Sequence, residues 1–265
     1  MSLTSSHFFS YILYRWILKY DLVRNALTRL LVRDVTETVE LFSRPLCVSR
    51  RREIGYWRAV RHQQSNVVFY HEIPALLSVM AVLRSNTTFI DCGANVGLFS
   101  AAVAPLTRIH PELHLYAFEP NPDTFARLAK TLEGYRVELF NIALSDRSGS
   151  LGFTEGVTSG VYTPRDTEWR GAPLYHVQCR RLDEIGITGV NLVLKVDVEG
   201  HEWEVLAGAE GLFRQNRIDA VFIDGTSREP KIVEMLRAYR FTLWDARSLQ
   251  PYSDRHGRIL ALRSK

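Results

Sequence analysis

The segment from Thr88 to Ser100, TFIDCGANVGLFS, most constrains how this chain folds. The apolar pair Phe89-Ile90 leads to Asp91, glycines follow at positions 93 and 97, and apolar residues with helical spacing resume after the second glycine. Glycine has no β-carbon, so the backbone can turn sharply and lie against a ligand, with the free N–H groups of a helix start directed at it. The pattern predicts a strand, a glycine loop and a helix that bind a nucleotide-like ligand.

The second strand of this unit is predicted to end in an acidic residue. The apolar run from His114 to Phe118 is followed by Glu119, about 20 residues beyond the glycines. An acid at this place accepts hydrogen bonds from both hydroxyl groups of a ribose. The third glycine of the dinucleotide fingerprint and the lysine of a phosphate-binding loop are both missing from the segment. The combination favours an adenosine that carries a small non-phosphate group, and S-adenosylmethionine is such a ligand.

Four motifs stand in order along the chain: Asp91-x-Gly93-Ala94-Asn95-x-Gly97, Phe118-Glu119-Pro120, Ala143-Leu144-Ser145-Asp146 and Lys195-x-Asp197-x-Glu199-Gly200-x-Glu202. Together they resemble the FkbM family of S-adenosylmethionine-dependent methyltransferases, over roughly residues 89 to 224. The resemblance implies a class I, Rossmann-like α/β fold, with a doubly wound, mostly parallel sheet and helices on both faces. It also implies methyl transfer to a hydroxyl oxygen of a sugar, a glycolipid or a polyketide-type natural product.

Several predicted strands end in polar residues, and in an open α/β sheet such ends meet at one crevice. The resemblance places Asn141 and Ala143 where class I methyltransferases contact the adenine. The predicted cofactor-binding residues are therefore Asp91, Gly93, Asn95, Gly97, Glu119, Asn141 and Ala143.

Methyl transfer to an alcohol requires in-line placement of the oxygen and removal of a proton from a weak acid. An ordinary carboxylate, with a pKa of about 4, is a poor base for a hydroxyl, so a histidine, a carboxylate with a raised pKa or a divalent ion is expected. The predicted catalytic residues are Asp197 and Glu199, followed by His201, whose position the family motif leaves variable. Asp224 ends the next strand and is a further candidate. Assistance by a divalent metal stays open.

Charge and cysteine content limit the partners. Residues 1–66 hold eleven Lys and Arg against five Asp and Glu, a net charge of +6, whereas the whole chain carries only +4. The remaining part is thus slightly acidic, which argues against a nucleic-acid substrate and favours a small-molecule or glycan acceptor. Three scattered cysteines fit reduced thiols in a cytoplasmic protein.

Residues 1–66 are predicted to form a helical, basic extension, and residues 67–265 the methyltransferase domain. Aromatic and aliphatic residues recur at helical spacing over residues 8–31, but basic residues interrupt them, so the segment is too polar to span a membrane. Two arrangements stay open for this helix. We favour docking on the core or on a second subunit of a homo-oligomer; the alternative is peripheral contact with a membrane surface.

Local patterns give further expectations. Val67–Phe69 is predicted as a short strand, and Glu202 to Phe213 as one helix. Glycines and prolines punctuate the stretch from Ser148 to Cys179, which is either an irregular insert suited to acceptor recognition or a purely structural edge hairpin. Two other functions stay open, an N-methyltransferase on the same scaffold and a non-catalytic partner protein that retains the cofactor fold.

Overall fold

The computed structural model of the chain describes residues 32–41, 43–62, 67–155, 162–164, 175–224, 230–253 and 258–264. The helix predicted over residues 8–31 lies outside these ranges. Among the helices inside them, none is both long enough and apolar enough to cross a bilayer.

The strands of the described residues are, in chain order, β1 (Thr36–Leu41), β2 (Arg44–Ser49), β3 (Thr88–Cys92), β4 (His114–Phe118), β5 (Glu138–Phe140), β6 (Ala143–Leu144), β7 (Gly149–Glu155), β8 (Tyr162–Pro164), β9 (Tyr175–Arg180), β10 (Leu192–Val196), β11 (Ile218–Asp224), β12 (Phe241–Asp245) and β13 (Arg258–Arg263). The α-helices are α1 (Ile54–His62), α2 (Ile73–Val82), α3 (Leu98–Val103), α4 (Pro122–Thr131), α5 (Glu202–Ala207), α6 (Glu210–Arg214) and α7 (Pro230–Ala238). A π-helix spans Val67–Glu72, and 3-10 turns span Ala104–Arg108 and Leu182–Glu184.

Seven of these strands form the central sheet, in the order β12-β13-β11-β10-β3-β4-β5. The five strands from β11 to β5 run parallel, and β13 runs antiparallel to both β11 and β12. The predicted doubly wound, mostly parallel sheet is confirmed. From β3 the chain continues to β4 on one side, whereas β10 pairs with β3 on the other side. The carboxyl ends of β3 and β10 therefore flank the point where the strand order reverses, which is where such folds bind ligands.

Helices cover both faces of the sheet because alternate residues of its inner strands are apolar and point to opposite sides. Every residue of β3 and β10 is buried, as expected for strands packed on both faces. Phe89 lies in a hydrophobic cluster with residues of α2, α3 and α4, whereas the next residue, Ile90, lies in a cluster with residues of α5, α6 and α7. The result is a three-layer α/β fold.

The helical character predicted for residues 1–66 is wrong for residues 36–49, which form the antiparallel hairpin β1–β2. In β1, the buried residues Val39 and Leu41 alternate with the exposed residues Thr38 and Glu40, a period-two pattern typical of a strand with one buried face. Leu46 and Val48 pack in the same hydrophobic cluster as Phe89, and the Cys47 N–H donates to Thr131 Oγ1 at 2.9 Å. The hairpin therefore shares its core with the central sheet.

Three further expectations differ from the structure. Val67–Phe69 is not a strand but the start of the π-helix that leads into α2. The single helix expected from Glu202 to Phe213 is divided into α5 and α6 near Gly208, where a β-carbon would lie 2.0 Å from the backbone oxygen of Ser145. For the stretch from Ser148 to Cys179, the first of the two alternatives, an irregular insert, is wrong for the described residues. They form β7, β8 and β9, of which β7 pairs antiparallel with β8 and with β9 as in the hairpin alternative, and they join β6 in a second sheet of order β6-β9-β7-β8.

Candidate active site

A crevice opens at the carboxyl edge of the sheet, beside the reversal between β3 and β10. The empty space in this crevice, counted out into the solvent at its open mouth, is about 690 Å³. Its walls comprise an apolar group, formed by Phe118, Ile142, Ala143, Leu144 and Phe153, and a polar group, formed by Asn95, Glu119, Asp197, Glu199 and His201. The separation of an apolar wall from a polar rim suits a ligand with a flat aromatic part and a polar part.

The glycine loop after β3 packs directly against the loop after β10. Gly93 has a φ of 77°, and a β-carbon there would lie 2.0 Å from the backbone oxygen of Asp197. Gly97 has a φ of 91°, and a β-carbon there would lie 2.7 Å from Leu128 Cδ1 on α4. Both positions therefore require glycine, one for contact between the two loops and the other for packing of α4 on the start of α3.

Glu119 ends β4 and connects two backbone segments at the crevice rim. Its Oε2 accepts a hydrogen bond from the Asn95 N–H at 3.0 Å, and its Oε1 accepts one from the Asn121 N–H at 2.9 Å. Burial raises the pKa of Glu119 to about 7, although both N–H groups favour the ionised form. The Asn141 amide donates to the carbonyl oxygens of Glu119 and Pro120, and so holds the backbone on which the carboxylate is placed.

The apolar wall lies beside this carboxylate. Three consecutive residues, Ile142 to Leu144, supply part of it, and Phe118 supplies another part, with its ring stacked on Phe140 at a centroid distance of 4.8 Å. Each Glu119 oxygen accepts one backbone hydrogen bond and keeps acceptor capacity for a second. An apolar wall next to a carboxylate with spare acceptor capacity fits an adenosine, with its base on the wall and its ribose hydroxyls at Glu119.

A buried charge cluster lies behind the glycine loop. Lys195 is only 2% exposed, and its Nζ lies 3.2 Å from Asp91 Oδ1 and 3.5 Å from Asp197 Oδ2. The same ammonium donates to the carbonyl oxygen of Gly93 at 2.7 Å. Asp91 is fully buried and also accepts a hydrogen bond from Ser100 Oγ at 2.7 Å. Lys195 thus fixes the end of β3, the glycine loop and Asp197 relative to one another.

Asp197 combines access to the crevice with an unusual protonation equilibrium. Its side chain is 27% exposed and lines the crevice. Burial raises the pKa of Asp197 to about 8; Lys195 opposes this rise, whereas the carboxylates of Asp224, Glu72 and Glu199 add to it. A carboxylate with this pKa is a much stronger base than an ordinary aspartate.

Glu199 and His201 follow on the same loop. Glu199 is exposed and has a φ of 54°, and the turn is held by Glu202, whose Oε1 accepts from the Gly200 N–H at 2.9 Å. His201 Nε2 lies 3.0 Å from Ser145 Oγ, and its Nδ1 lies 3.4 Å from Glu204 Oε2. Both ring nitrogens of His201 therefore have protein partners, which fix the ring on the crevice wall.

The predicted site residues separate into two groups in the structure. Seven of them line the crevice, namely Gly93, Asn95, Glu119, Ala143, Asp197, Glu199 and His201. Asp91, Gly97 and Asn141 lie behind that lining and position it. Asp224, the further candidate, accepts a hydrogen bond from Arg258 Nε at 2.5 Å. Within the described ranges, no group of three or more His, Cys, Asp or Glu is arranged to hold a metal ion.

Two contributions were missed by the sequence reasoning. Lys195 belongs to the last of the four motifs, but no site role is predicted for it; its signal is a lone lysine inside the otherwise apolar strand β10. Phe153, on β7, also lines the crevice, which shows that this stretch is not the purely structural hairpin of the second alternative. Its signal is weaker, because nothing in the sequence pairs β7 with the crevice.

The fold and the crevice together define a class I S-adenosylmethionine-dependent methyltransferase. The parallel sheet with an antiparallel terminal pair, the glycine loop and the strand-end acid are the features of that class present here. Comparison with protein families assigns the chain more narrowly. The family described as "Methyltransferase FkbM domain" matches residues 91–248, which is more than half of the chain. The protein belongs to this family.

Three relatives show the range of this similarity. The chain is 26% identical over 188 residues to 2-O-methyltransferase NoeI of Sinorhizobium fredii. This alignment covers 63% of this chain and 73% of that protein. It is 31% identical over 201 residues to 31-O-demethyl-FK506 methyltransferase FkbM of Streptomyces tacrolimicus, covering 61% and 75% respectively. It is 32% identical over 121 residues to hexuronic acid methyltransferase AglP of Haloferax volcanii, covering 44% of this chain and about half, 48%, of that protein.

Proposed function

We propose that this protein is an O-methyltransferase that acts on a hydroxyl group of a sugar, a glycolipid or a polyketide-type natural product. The observation that carries the proposal is Asp197, a carboxylate with a pKa raised to about 8 that lines the crevice at the end of β10. Proton removal from a hydroxyl needs a base of this kind, whereas an ordinary aspartate is too weak.

S-adenosylmethionine supplies an electrophilic methyl group on a sulfonium centre when it is bound. Glu119 and the apolar wall would hold its adenosine part, and the loop of Gly93 and Asn95 its amino-acid part. Asp197 accepts the proton of the acceptor hydroxyl at its carboxylate. Lys195 keeps its charge and orients Asp197, since its ammonium also contacts Asp91 and the Gly93 carbonyl.

Glu199 is the second candidate for the base, because it lies on the same loop and reaches the crevice. His201 is the third, although its two nitrogens already have partners in Ser145 and Glu204. A divalent ion that polarises the hydroxyl would replace either base. Addition of magnesium and of a chelator distinguishes this version, because only a metal-assisted reaction would respond to both.

The names of the relatives support the choice of oxygen as the acceptor atom. The names of NoeI and of the FK506 methyltransferase state O-methylation, and that of AglP states a hexuronic acid substrate. The slightly acidic charge of the chain beyond residue 66 supports a small-molecule or glycan acceptor over a nucleic acid.

The function is tested by incubating the purified chain with methyl-labelled S-adenosylmethionine and a panel of hydroxyl and amine acceptors. The panel contains neutral glycosides, uronides, amino sugars and polyketide alcohols, and mass spectrometry locates the methyl group on each product. We expect label on oxygen. Label on nitrogen alone would identify an N-methyltransferase, and binding of the donor without transfer to any member of the panel would contradict the proposed activity.

A further inference from the structure

A segment from the amino-terminal part of the chain, not used in the site described above, is linked through Arg258 to the carboxyl end of β11. Arg258 of β13 donates from Nε to Asp224 at the end of β11, and its Nη1 lies 3.1 Å from His71 Nδ1 and donates to the His71 carbonyl oxygen at 3.3 Å. Val196 of β10 and Ile223 of β11 are in register. The residues that follow them, Asp197 and Asp224, therefore stand next to each other on neighbouring strands. The end of the π-helix is therefore fixed through Arg258 to β11, the strand next to β10, which Asp197 follows.

His71 acts as an anchor in this arrangement. An arginine side chain can only donate hydrogen bonds, so Nδ1 of His71 must accept, and the ring is neutral when this contact forms. Burial and the neighbouring charge of Arg258 lower the pKa of His71, in agreement with this state. The anchor sets the position of the next residue, Glu72.

Glu72 and Tyr56 are the polar side chains that this anchoring brings towards the base. The charges that act on Glu72 come from Lys195, Asp224, Arg258 and Asp91, and burial raises the pKa of Glu72 to about 7. Tyr56 lies on α1, which packs against the π-helix, and its hydroxyl interacts electrostatically with Glu72 and Asp197.

Both side chains are available to a ligand. Each is partly buried, and within the described part of the chain neither the Glu72 carboxylate nor the Tyr56 hydroxyl forms a hydrogen bond. A carboxylate accepts hydrogen bonds and a phenol both donates and accepts them. Two such side chains without protein partners can therefore hydrogen-bond the hydroxyl groups of a ligand.

We propose that Tyr56 and Glu72 form the acceptor side of the active site and hydrogen-bond the hydroxyl groups of an uncharged polyol, such as a neutral sugar. This inference rests on the proposed O-methyltransferase function and adds the class of acceptor to it. Both residues precede residue 91, where the match to the family begins. Acceptor choice would then be set by a segment outside the matched domain.

The charge of this region selects against an anionic acceptor. Among Asp197, Glu72 and the described groups whose charges act on them, carboxylates outnumber cations. The carboxylates are Asp91, Asp197, Glu199, Glu72 and Asp224, and the cations are Lys195 and Arg258. With all of them ionised, the net charge is three negative. A sugar carboxylate or phosphate placed here would face like charges at short range, whereas neutral hydroxyls donate hydrogen bonds to the carboxylates.

The test compares p-nitrophenyl hexosides with the matching hexuronides, which differ only in the charged group at C6. Release of S-adenosylhomocysteine gives kcat and KM for each acceptor, and calorimetry gives the Kd of S-adenosylhomocysteine as a check that each variant folds and binds. We expect kcat/KM at least tenfold higher for the hexoside. Tyr56→Phe should raise the acceptor KM at least tenfold, and Glu72→Gln should reduce the preference for the hexoside at least threefold, both with an unchanged Kd.

The matched control variants are Tyr70→Phe, on an exposed tyrosine of the same π-helix, and Glu112→Gln, on an exposed acid before β4. Neither should alter the acceptor KM. Suppose that the wild type turns over the acceptors and that the Tyr56 and Glu72 variants keep the same acceptor KM and the same preference. This result would overturn the inference and leave the proposed function intact. A preference for hexuronides, or loss of S-adenosylhomocysteine binding in both variants, would overturn it as well. Donor binding without transfer to any hydroxyl would contradict the proposed function itself.

Discussion

Replacing Lys195 by methionine removes the cation at the centre of the buried charge cluster while keeping a side chain of similar length. The ammonium is 2% exposed and lies 3.2 Å from Asp91, which is fully buried. Breaking a buried ion pair by removing one partner leaves an uncompensated charge and costs about 3–5 kcal/mol. Asp91 would then keep only the hydrogen bond from Ser100. We expect a loss of stability of that size, which corresponds to a fall in Tm of about 10 °C for a chain of this length.

The assay is urea unfolding followed by circular dichroism, on the wild type, Lys195→Met, Asp91→Asn and the double variant. The double variant removes both charges, so it should be more stable than the sum of the single losses predicts, by about 1–3 kcal/mol of coupling energy. A loss below about 1 kcal/mol in Lys195→Met, or strict additivity in the double variant, would refute the role given to this ion pair.

Three further predictions concern the crevice. Gly93→Ala should cost about 1–3 kcal/mol more than Gly134→Ala, because both glycines have φ near 80° but only at Gly93 would the added β-carbon lie 2.0 Å from a backbone oxygen; equal costs in thermal unfolding would contradict the loop contact. Glu119→Ala should weaken S-adenosylmethionine binding by about 1.5–3 kcal/mol in calorimetry, since it loses a charged acceptor for the ribose, and an unchanged Kd would remove Glu119 from the donor site. His201→Asn should lower Tm yet keep the pH dependence of turnover; a lost dependence would make His201 the base instead of Asp197.

The central sheet and the polar part of the crevice lining could be predicted from the sequence because their signals are local. A glycine loop bounded by a strand and a helix, and an acid directly after a strand, are each readable within a few residues. Gly93 and Glu119 were placed in this way. The topology then brings such strand ends together at the carboxyl edge, without further information from side chains.

The parts that could not be predicted depend on contacts between distant segments. The hairpin β1–β2 lies in the part of the chain that was predicted as a helical, basic extension, although its packing on the sheet decides its structure. The π-helix before α2 is held by Arg258, which is 187 residues away from His71. The electrostatic effect of Glu72 and Tyr56 on Asp197 likewise joins segments more than 120 residues apart in the chain. No pattern in either segment carries that information.

The most direct test of the proposed chemistry is the pH dependence of methyl transfer by the wild type and by Asp197→Asn. A base must be ionised to act, so kcat/KM for a neutral hydroxyl acceptor should rise with pH, reach half its maximum near the pKa of about 8, and level off above it. Asp197→Asn should lower turnover by a factor of about 100 or more and abolish the rise, with S-adenosylhomocysteine binding unchanged. Asp123→Asn, at a side chain 71% exposed, is the control and should behave as the wild type. An Asp197→Asn enzyme that retains the turnover and pH profile of the wild type would contradict the assignment of Asp197 as the base.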